Sequence, residues 1–398
     1  MTHGDTVPLP DALDALRERL RPLDRTETVA LCDARGRVLA EPVVASRSIP
    51  HYRRAAMDGY AVRASDTVGA CRDAPATLSL ATDVVAQGHA VPVHTGSELP
   101  ADADAVVRVE RTREVGDAVE VLRPVESGKD VAPVGEDVSS GQELFEPGHR
   151  LTTSDVALCK GTGVRSARVY ERPTVAVVPT GEELVQQDPD PGEVVETNGL
   201  TTASFVESWG GAPTYGSVVP DDEAALADAI EDACDHDIVV TTGGSSVGDR
   251  DLVPDVVDDL GEVFVHGVDI KPGHPVGLGV VGDTPVVLLP GYPVSCIVTA
   301  VQFLRPAVRD IGRLPTPPFP TVEGELVATI ESEAGTRRFA RVTVDDGPDG
   351  ARVRETDDSG AGVLSSVALT DGWVVVPEDV VRLDPGTSVT VHRWEHAL

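Results

Sequence analysis

Residues 238–251 read IVVTTGGSSVGDRD, an apolar, β-branched run that passes abruptly into glycine, serine and aspartate. Such a run is a buried strand feeding a loop. At Gly243 and Gly244 the missing Cβ lets the backbone approach a ligand, while Ser245 and Ser246 add hydroxyl donors. Successive peptide N–H groups there suit an anion. Asp249 and Asp251 follow at once, and carboxylates beside a phosphate cradle are the hard donors that carry Mg2+. The same letters also fit a glycine turn in which Asp249 or Asp251 caps a helix.

Outward from this loop the strand, loop, helix alternation repeats. TVAVVPTGEEL from Thr174 precedes a helix over about 197–209, then TYGSVVP and a helix beginning at Asp221. Beyond the loop come a helix near 252–260, EVFVHGV, PVVLLPG and a helix from Val294. This predicts an α/β domain with a largely parallel sheet, whose ligands sit outside the carboxyl ends of the strands. On that side lie PTGEEL (179–184), with Glu182 and Glu183, and LLPGYPVS (288–295). In the latter, Pro290 and Pro293 frame a turn into a helix whose first N–H groups, near Ser295, suit an anion. VDIKPGHP sets Lys271 before the rigid Pro272-Gly273 turn, with His274 beside it. Each of these segments also reads as an ordinary connection, and Lys271 as a solvated lysine.

A chain of 398 residues is too long for one core and predicts two to four domains. A helix opening at Asp11 carries Leu13, Leu16 and Leu20 near helical spacing and stops before Pro22. Short Val-rich runs broken by Gly, Pro and Asp predict a β-rich domain over 46–146. Thr152 to Lys160 is a further helix. The prolines at 315, 317, 318 and 320 mark a stiff linker, and ELVATI, RRFARVTV, ARVRE, GWVVVP and TSVTVHRW beyond it predict a C-terminal β domain. The expected division is 1–45 with 147–172, 46–146, 173–314 and 315–398.

Acidic residues number 66 against 33 basic ones, a net charge of −33, spread along the chain. That argues against a nucleic-acid binder and fits a surface adapted to a salt-rich cytosol, where charges are strongly screened. Only Lys129, Lys160 and Lys271 are lysines, so any catalytic lysine is one of three. The five cysteines, Cys32, Cys71, Cys159, Cys234 and Cys296, form no CxxC pair. No apolar run is long enough to span a bilayer, so no membrane partner is expected and the chain is expected to be cytoplasmic. In the N-terminal half RRAAMDGYAV offers Asp58 before Gly59, and HTGSELPADADAVVRVE and VGEDV add Thr95, Glu110 and Asp137. Each alone reads as turn chemistry.

The ordered set MDGYAV, HTGSELPADADAVV, GED, PTGEEL, TTGGSSVGDRD, KPGHP and LPGYPVS, followed by the β tail, resembles the molybdenum insertase family, MoeA and the E domain of gephyrin. The resemblance covers essentially the whole chain, in a haloarchaeal-type version. It implies a multidomain fold: a MogA/MoaB-like α/β domain, an inserted β-rich domain, an elongated scaffold domain and a C-terminal β-barrel. It also implies a homodimer whose site joins the α/β domain of one subunit to the inserted domain of the other. The implied reaction inserts molybdate into adenylylated molybdopterin with Mg2+-dependent release of AMP. A transient contact with a molybdopterin adenylyltransferase is implied as well. By motif position Asp58, Thr95, Asp137, Glu183, Asp221, Asp251 and Lys271 match the family's functional residues. Asp249 and Asp251 are then expected to hold Mg2+, and Gly243 to Ser246 to cradle phosphate. Lys271, His274, Pro290, Pro293, Ser295 and Arg338 (or Arg337 or Arg341) are expected around the pterin and oxyanion.

Four positions depart from the family pattern: His274 replaces a lysine, Tyr292 an asparagine, Gly267 a lysine of some members and Ala361 a serine. No residue separates molybdate from tungstate. The alternatives are a non-catalytic molybdopterin-binding or scaffold protein, a tungstate-specific insertase, and the preceding adenylyltransferase. The last resembles residues 173–312 alone, and MDGYAV and the β tail argue against it.

Overall fold

The computed structural model describes residues 6–243, 252–348, 350–356 and 362–396. The chain forms two compact units, residues 28–169 and the remainder, 1–27 with 170–398. In the first, a six-stranded sheet runs in the order Ala105–Arg108, Gly59–Val62, His89–Val93, Ala76–Leu80, Ala118–Val121, Thr112–Val115. Its strands are short because Gly and Asp turns interrupt them. Gly59 of MDGYAV must be glycine for a cross-strand reason: a Cβ there would lie 2.0 Å from Val107 O. The helix of this unit, Thr153–Gly161, begins one residue later than its sequence pattern predicts, because Thr152 is the cap. Thr152 Oγ1 accepts from Asp155 N–H, and Asp155 accepts from Thr152 N–H.

The second unit holds the α/β sheet, ordered Ala212–Tyr215, Thr174–Pro179, Ile238–Thr242, Thr284–Leu289, Gly277–Val281, Glu262–His266. The first four strands are parallel, and Gly277–Val281 runs antiparallel to both its neighbours, so Glu262–His266 again follows the common direction. Strand periodicity sorts the apolar residues between two faces. Val175, Val177, Ile238, Val240, Val287 and Leu289 share a core with Ala203, Val206, Ile297, Phe303 and Ile311. Ala176, Val178, Val239, Val286 and Leu288 share another with Leu226, Ile230, Val253 and Val257. The N-terminal helix spans Leu9–Arg19, opening two residues before Asp11; Pro8 is its N-cap, and Pro10 lies in its first turn, where a missing N–H breaks no helical bond. Its Leu9, Ala12 and Leu16 lie in the first of these cores. The helix after Asp221 begins at Glu223, because Asp222 is its N-cap.

Beyond the prolines five strands close a barrel: Thr321–Leu326, Arg337–Gly347, Gly350–Glu355, Gly372–Val376 and Ser388–His392. Closure leaves no free sheet edge. ELVATI is not one strand, since pairing stops at Leu326 and resumes at Ile330. Leu326, Ala340, Val342, Val353, Val374 and Val391 fill one core. Their neighbours Phe339 and Trp373 face outward into the α/β core. There Trp373 stacks on Trp394 at 5.0 Å between centroids, Trp394 meets Phe205 at 5.8 Å, and Phe205 stacks on Trp209 at 5.3 Å. All three tryptophans of the chain thus join the barrel to the helix Asn198–Ser208.

Removing Trp373, only 2% exposed, deletes the barrel end of that chain of rings. Trp373→Ala is expected to lower stability by about 3–5 kcal/mol, read as an earlier midpoint in denaturant, with altered tryptophan fluorescence. At Gly243, φ is +107° and a Cβ would stand 2.2 Å from Thr180 O. Gly243→Ala is expected to cost about 1–3 kcal/mol in the same measurement.

Candidate functional site

At the carboxyl edge of the parallel sheet three strand ends are laced together. Thr180 N–H donates to Thr242 O at 3.0 Å, Gly243 N–H to Leu289 O at 3.2 Å, and Gly181 N–H to Val219 O at 3.1 Å. The glycine of TTG makes this possible, since a Cβ on Gly243 would stand 2.2 Å from Thr180 O. A Cβ on Gly291 would sit 3.5 Å from Gly243 Cα, so the loops approach backbone to backbone. Pro290 and Pro293 flank that contact, Pro293 being the first residue of the helix Pro293–Thr299. The Thr180, Thr241 and Thr242 hydroxyls are buried here without a hydrogen-bond partner among the described residues. Glu183 folds back over Gly181, whose absent Cβ would lie 2.8 Å from the carboxylate. Asp221 Oδ2 stands 3.5 Å from Glu182 N–H. The expected cradle and cation residues Gly244, Ser245, Ser246, Asp249 and Asp251 lie outside the described residues, as does Ala361. Among the described residues no group of three or more His, Cys, Asp or Glu is arranged to hold a metal ion.

Two residues that carried no motif support this edge. Asn198 Nδ2 donates to Gly291 O at 2.7 Å. The buried Glu196 accepts the Gly199 N–H at 2.6 Å and the Tyr215 hydroxyl. A buried carboxylate at the start of a helix is stabilised by free N–H groups. ETNG at 196–199 therefore held a readable signal, a carboxylate three residues before a helix N–H.

A cavity of about 590 Å3 opens where the KPGHP turn meets the barrel, lined by Lys271, His274, Ser295, Glu333, Arg338 and Arg341 among others. Ile270 and Lys271 pair in parallel with Arg337 and Arg338. Gly273 lies at φ +115° and a Cβ would come within 2.5 Å of Thr299 Cγ2, so the turn packs directly on the helix that carries Ser295. Behind the turn, Gly267 N–H donates to Val276 O at 3.0 Å and its carbonyl accepts from Val7 N–H at 3.1 Å. Gly267, with φ +92°, is thus a left-handed brace.

The cations of the cavity are individually engaged. Lys271 Nζ donates to Glu333 Oε1 at 2.7 Å, and that hydrogen bond holds the Glu333 carboxyl below the usual glutamate range. Arg338 Nη2 donates to Glu355 Oε1 at 2.6 Å and Nη1 to the Glu331 carbonyl. Of the three candidate arginines, Arg338 and Arg341 line the cavity. Arg337 is turned to Glu378, 2.9 Å away. His274 Nδ1 is 3.0 Å from Val268 O. A carbonyl only accepts, so Nδ1 carries a proton, and a ring that also donates from Nε2 is the imidazolium. Nothing local in the sequence marks Glu333 or Glu355 as partners, because Glu333 meets a lysine of the α/β domain and Glu355 an arginine of the neighbouring barrel strand.

In the other unit Asp58 and Thr95 meet. Asp58 Oδ1 accepts the Thr95 N–H at 2.6 Å and its hydroxyl at 3.0 Å, and those bonds hold the carboxyl below the usual aspartate range. Asp137 donates its backbone N–H to Ile49 O at 3.0 Å. Exposed Tyr292 caps the helix Pro293–Thr299 and lies 3.5 Å from the position of a Cβ on Gly362.

Three family models cover the chain in order. The MoeA N-terminal region (domain I and II) matches residues 7–163, a probable molybdopterin binding domain residues 176–310, and the MoeA C-terminal region (domain IV) residues 323–394. Molybdopterin molybdenumtransferase 2 of Mycobacterium tuberculosis is 35% identical over 391 residues, covering 93% of this chain and 95% of that protein. The molybdopterin molybdenumtransferase of Bacillus subtilis is 29% identical over 384 residues, covering 92% and 89%. A crystal structure of the molybdopterin biosynthesis MoeA protein from Pyrococcus horikoshii superposes with a TM-score of 0.82 at 32% identity, over 98% of this chain and 99% of that one. With all three regions present and relatives matched almost end to end, the chain belongs to the MoeA family.

Proposed function

We propose that this protein is a molybdopterin molybdenumtransferase, which inserts molybdate into adenylylated molybdopterin with release of AMP in molybdenum cofactor biosynthesis. The observation that carries the reading is the cavity in which Lys271, His274, Ser295 and Arg338 converge, in a chain whose full-length relatives bear that name. A strongly acidic protein with three lysines that sets one of them beside an arginine has built a local anion site against its own field.

The roles follow from donor chemistry. Lys271 and Arg338 supply charge to a tetrahedral oxyanion, Ser295 a hydroxyl, and His274, as the imidazolium, one further N–H. Gly243 to Ser246 offer backbone and hydroxyl donors to phosphate at the sheet edge, where Thr180 and Thr242 already bring strand ends together. Mg2+, for which the oxygens of Asp249 and Asp251 are suitable donors, supplies neutralisation of pyrophosphate charge. Asp221 and Glu183 stand beside this edge, and Asp58, Thr95 and Asp137 match the family's functional residues by motif position. Cleavage of a phosphoanhydride needs positioning and charge stabilisation more than a protein base. A homodimer, a passing contact with the adenylyltransferase that makes the substrate, a cytoplasmic location and adaptation to molar salt belong to the same proposal. Consistent with it, no helix among the described residues is long and apolar enough to cross a membrane.

AMP release from adenylylated molybdopterin, measured in molar KCl with Mg2+, is expected with molybdate and to be slow without an oxyanion. A tungstate arm gives the metal preference, and pterin binding without release in every arm would overturn the reading. Lys271→Ala is expected to raise the half-saturating molybdate concentration about tenfold or more while leaving the melting temperature unchanged, since its ion pair is exposed. Asp251→Ala is expected to keep pterin binding and lose AMP release, and retained release would remove the Mg2+ assignment.

A further inference from the structure

Two carboxylates of the barrel domain occupy two of the cavity's cations, Arg338 and Lys271, but the pairs are physically unlike. Arg338 and Glu355 are 12% and 17% exposed, 2.6 Å apart, and Arg338 is additionally held by the Glu331 carbonyl. Separating them would strand charge away from water. Lys271 and Glu333 are 51% and 67% exposed and meet through a hydrogen bond of 2.7 Å. Both side chains are long, water can solvate each when they part, and pairs of this kind are weakly bound. Both also line the cavity, so an anion that enters must compete with Glu333 for the ammonium.

We infer that Glu333 is a displaceable internal counter-ion that sets the anion selectivity of Lys271. The inference rests on the reading of this cavity as an oxyanion site. A halide carries the same single charge as the carboxylate, arrives from solution at an entropic disadvantage against a tethered group, and fits no directional donor set. It does not dislodge Glu333. A tetrahedral dianion carries twice the charge and several acceptor oxygens, so it bonds Lys271 together with other donors of the cavity, and Glu333 turns out to solvent. The carboxylate thereby filters by charge and valence rather than by size. This matters most where chloride is abundant, because an unpaired lysine would simply hold chloride. Glu333 is a positioning residue in this scheme, since it acts through Lys271 and bonds no part of the substrate.

The test is binding of molybdate alone to the full-length protein, by equilibrium dialysis with elemental detection. It compares the wild type with Glu333→Gln, Glu333→Ala, Lys271→Ala and the Lys271→Ala/Glu333→Gln double variant. Each is measured in potassium chloride and in potassium glutamate of equal ionic strength. Glu333→Gln and Glu333→Ala are expected to bind molybdate about two- to fivefold more tightly than the wild type in glutamate. They are also expected to lose at least about half of that gain in chloride, whereas the wild-type affinity is alike in both salts. The gain should vanish in the Lys271→Ala background, as a contact acting through Lys271 requires. Unchanged or weaker binding in both Glu333 variants, or a gain that survives loss of Lys271, overturns the inference. Wild-type affinity in Lys271→Ala instead overturns the oxyanion reading of the cavity, so the two failures are distinguishable.

Discussion

The candidate site depends on a two-residue strand pairing. Ile270 and Lys271, at the end of the α/β domain, run beside Arg337 and Arg338 at the start of a barrel strand, and Arg337 N–H donates to Asp269 O at 2.9 Å. Two residues of ladder are too little to hold two domains in register. The register is held by apolar contact around it: Phe339 on the next position of that strand, Trp373 opposite, and the stacked Trp394 reaching Phe205 and Trp209. A chain with 4% aromatic residues has placed its three tryptophans in this joint. Large rings bury the most apolar area per side chain ordered, which suits a junction that must be stiff in a protein repelled by its own charge.

The electrostatics of the molecule make the cavity stand out. In a background of −33, most positions carry negative potential, and an anionic substrate is drawn only where cations are concentrated and backbone donors converge. Lys271 and Arg338 provide the first. The Gly243, Gly291 and Gly181 loops provide the second, since without side chains the strand ends can close to backbone contact. Lys271 and Arg338 each have a carboxylate beside them, Glu333 and Glu355.

Much of this fold was legible along the chain. Alternating apolar runs gave the sheet strands, and Gly243 in TTGGSS marked the turn at its edge; the helix Leu252–Leu260 fell where its pattern placed it. Boundaries moved by one or two residues wherever a cap or a proline decided the matter, as at Thr152, Asp222 and Pro8. Of the candidate residues, Lys271, His274, Ser295 and Arg338 line one cavity, and Asp58 meets Thr95. Arg337 was indistinguishable from Arg338 in the letters GTRRFAR. Strand geometry separates them, because successive side chains point to opposite faces, one to Glu378 and the other to Glu355.

The sequence by itself determined what is local. Strand and helix periods, the glycines required at the sheet edge, the proline linker, the scarcity of lysine and the ordered motifs are all properties of neighbouring residues. Only the tertiary structure decided the partners. Glu333 lies 62 positions from Lys271, and Asn198 lies 93 from Gly291. No pattern along the chain encodes such contacts, because they arise when barrel closure and aromatic packing fix the distance between elements that fold by separate local rules. Whether a lysine faces water, a carboxylate or an incoming anion is a property of that distance.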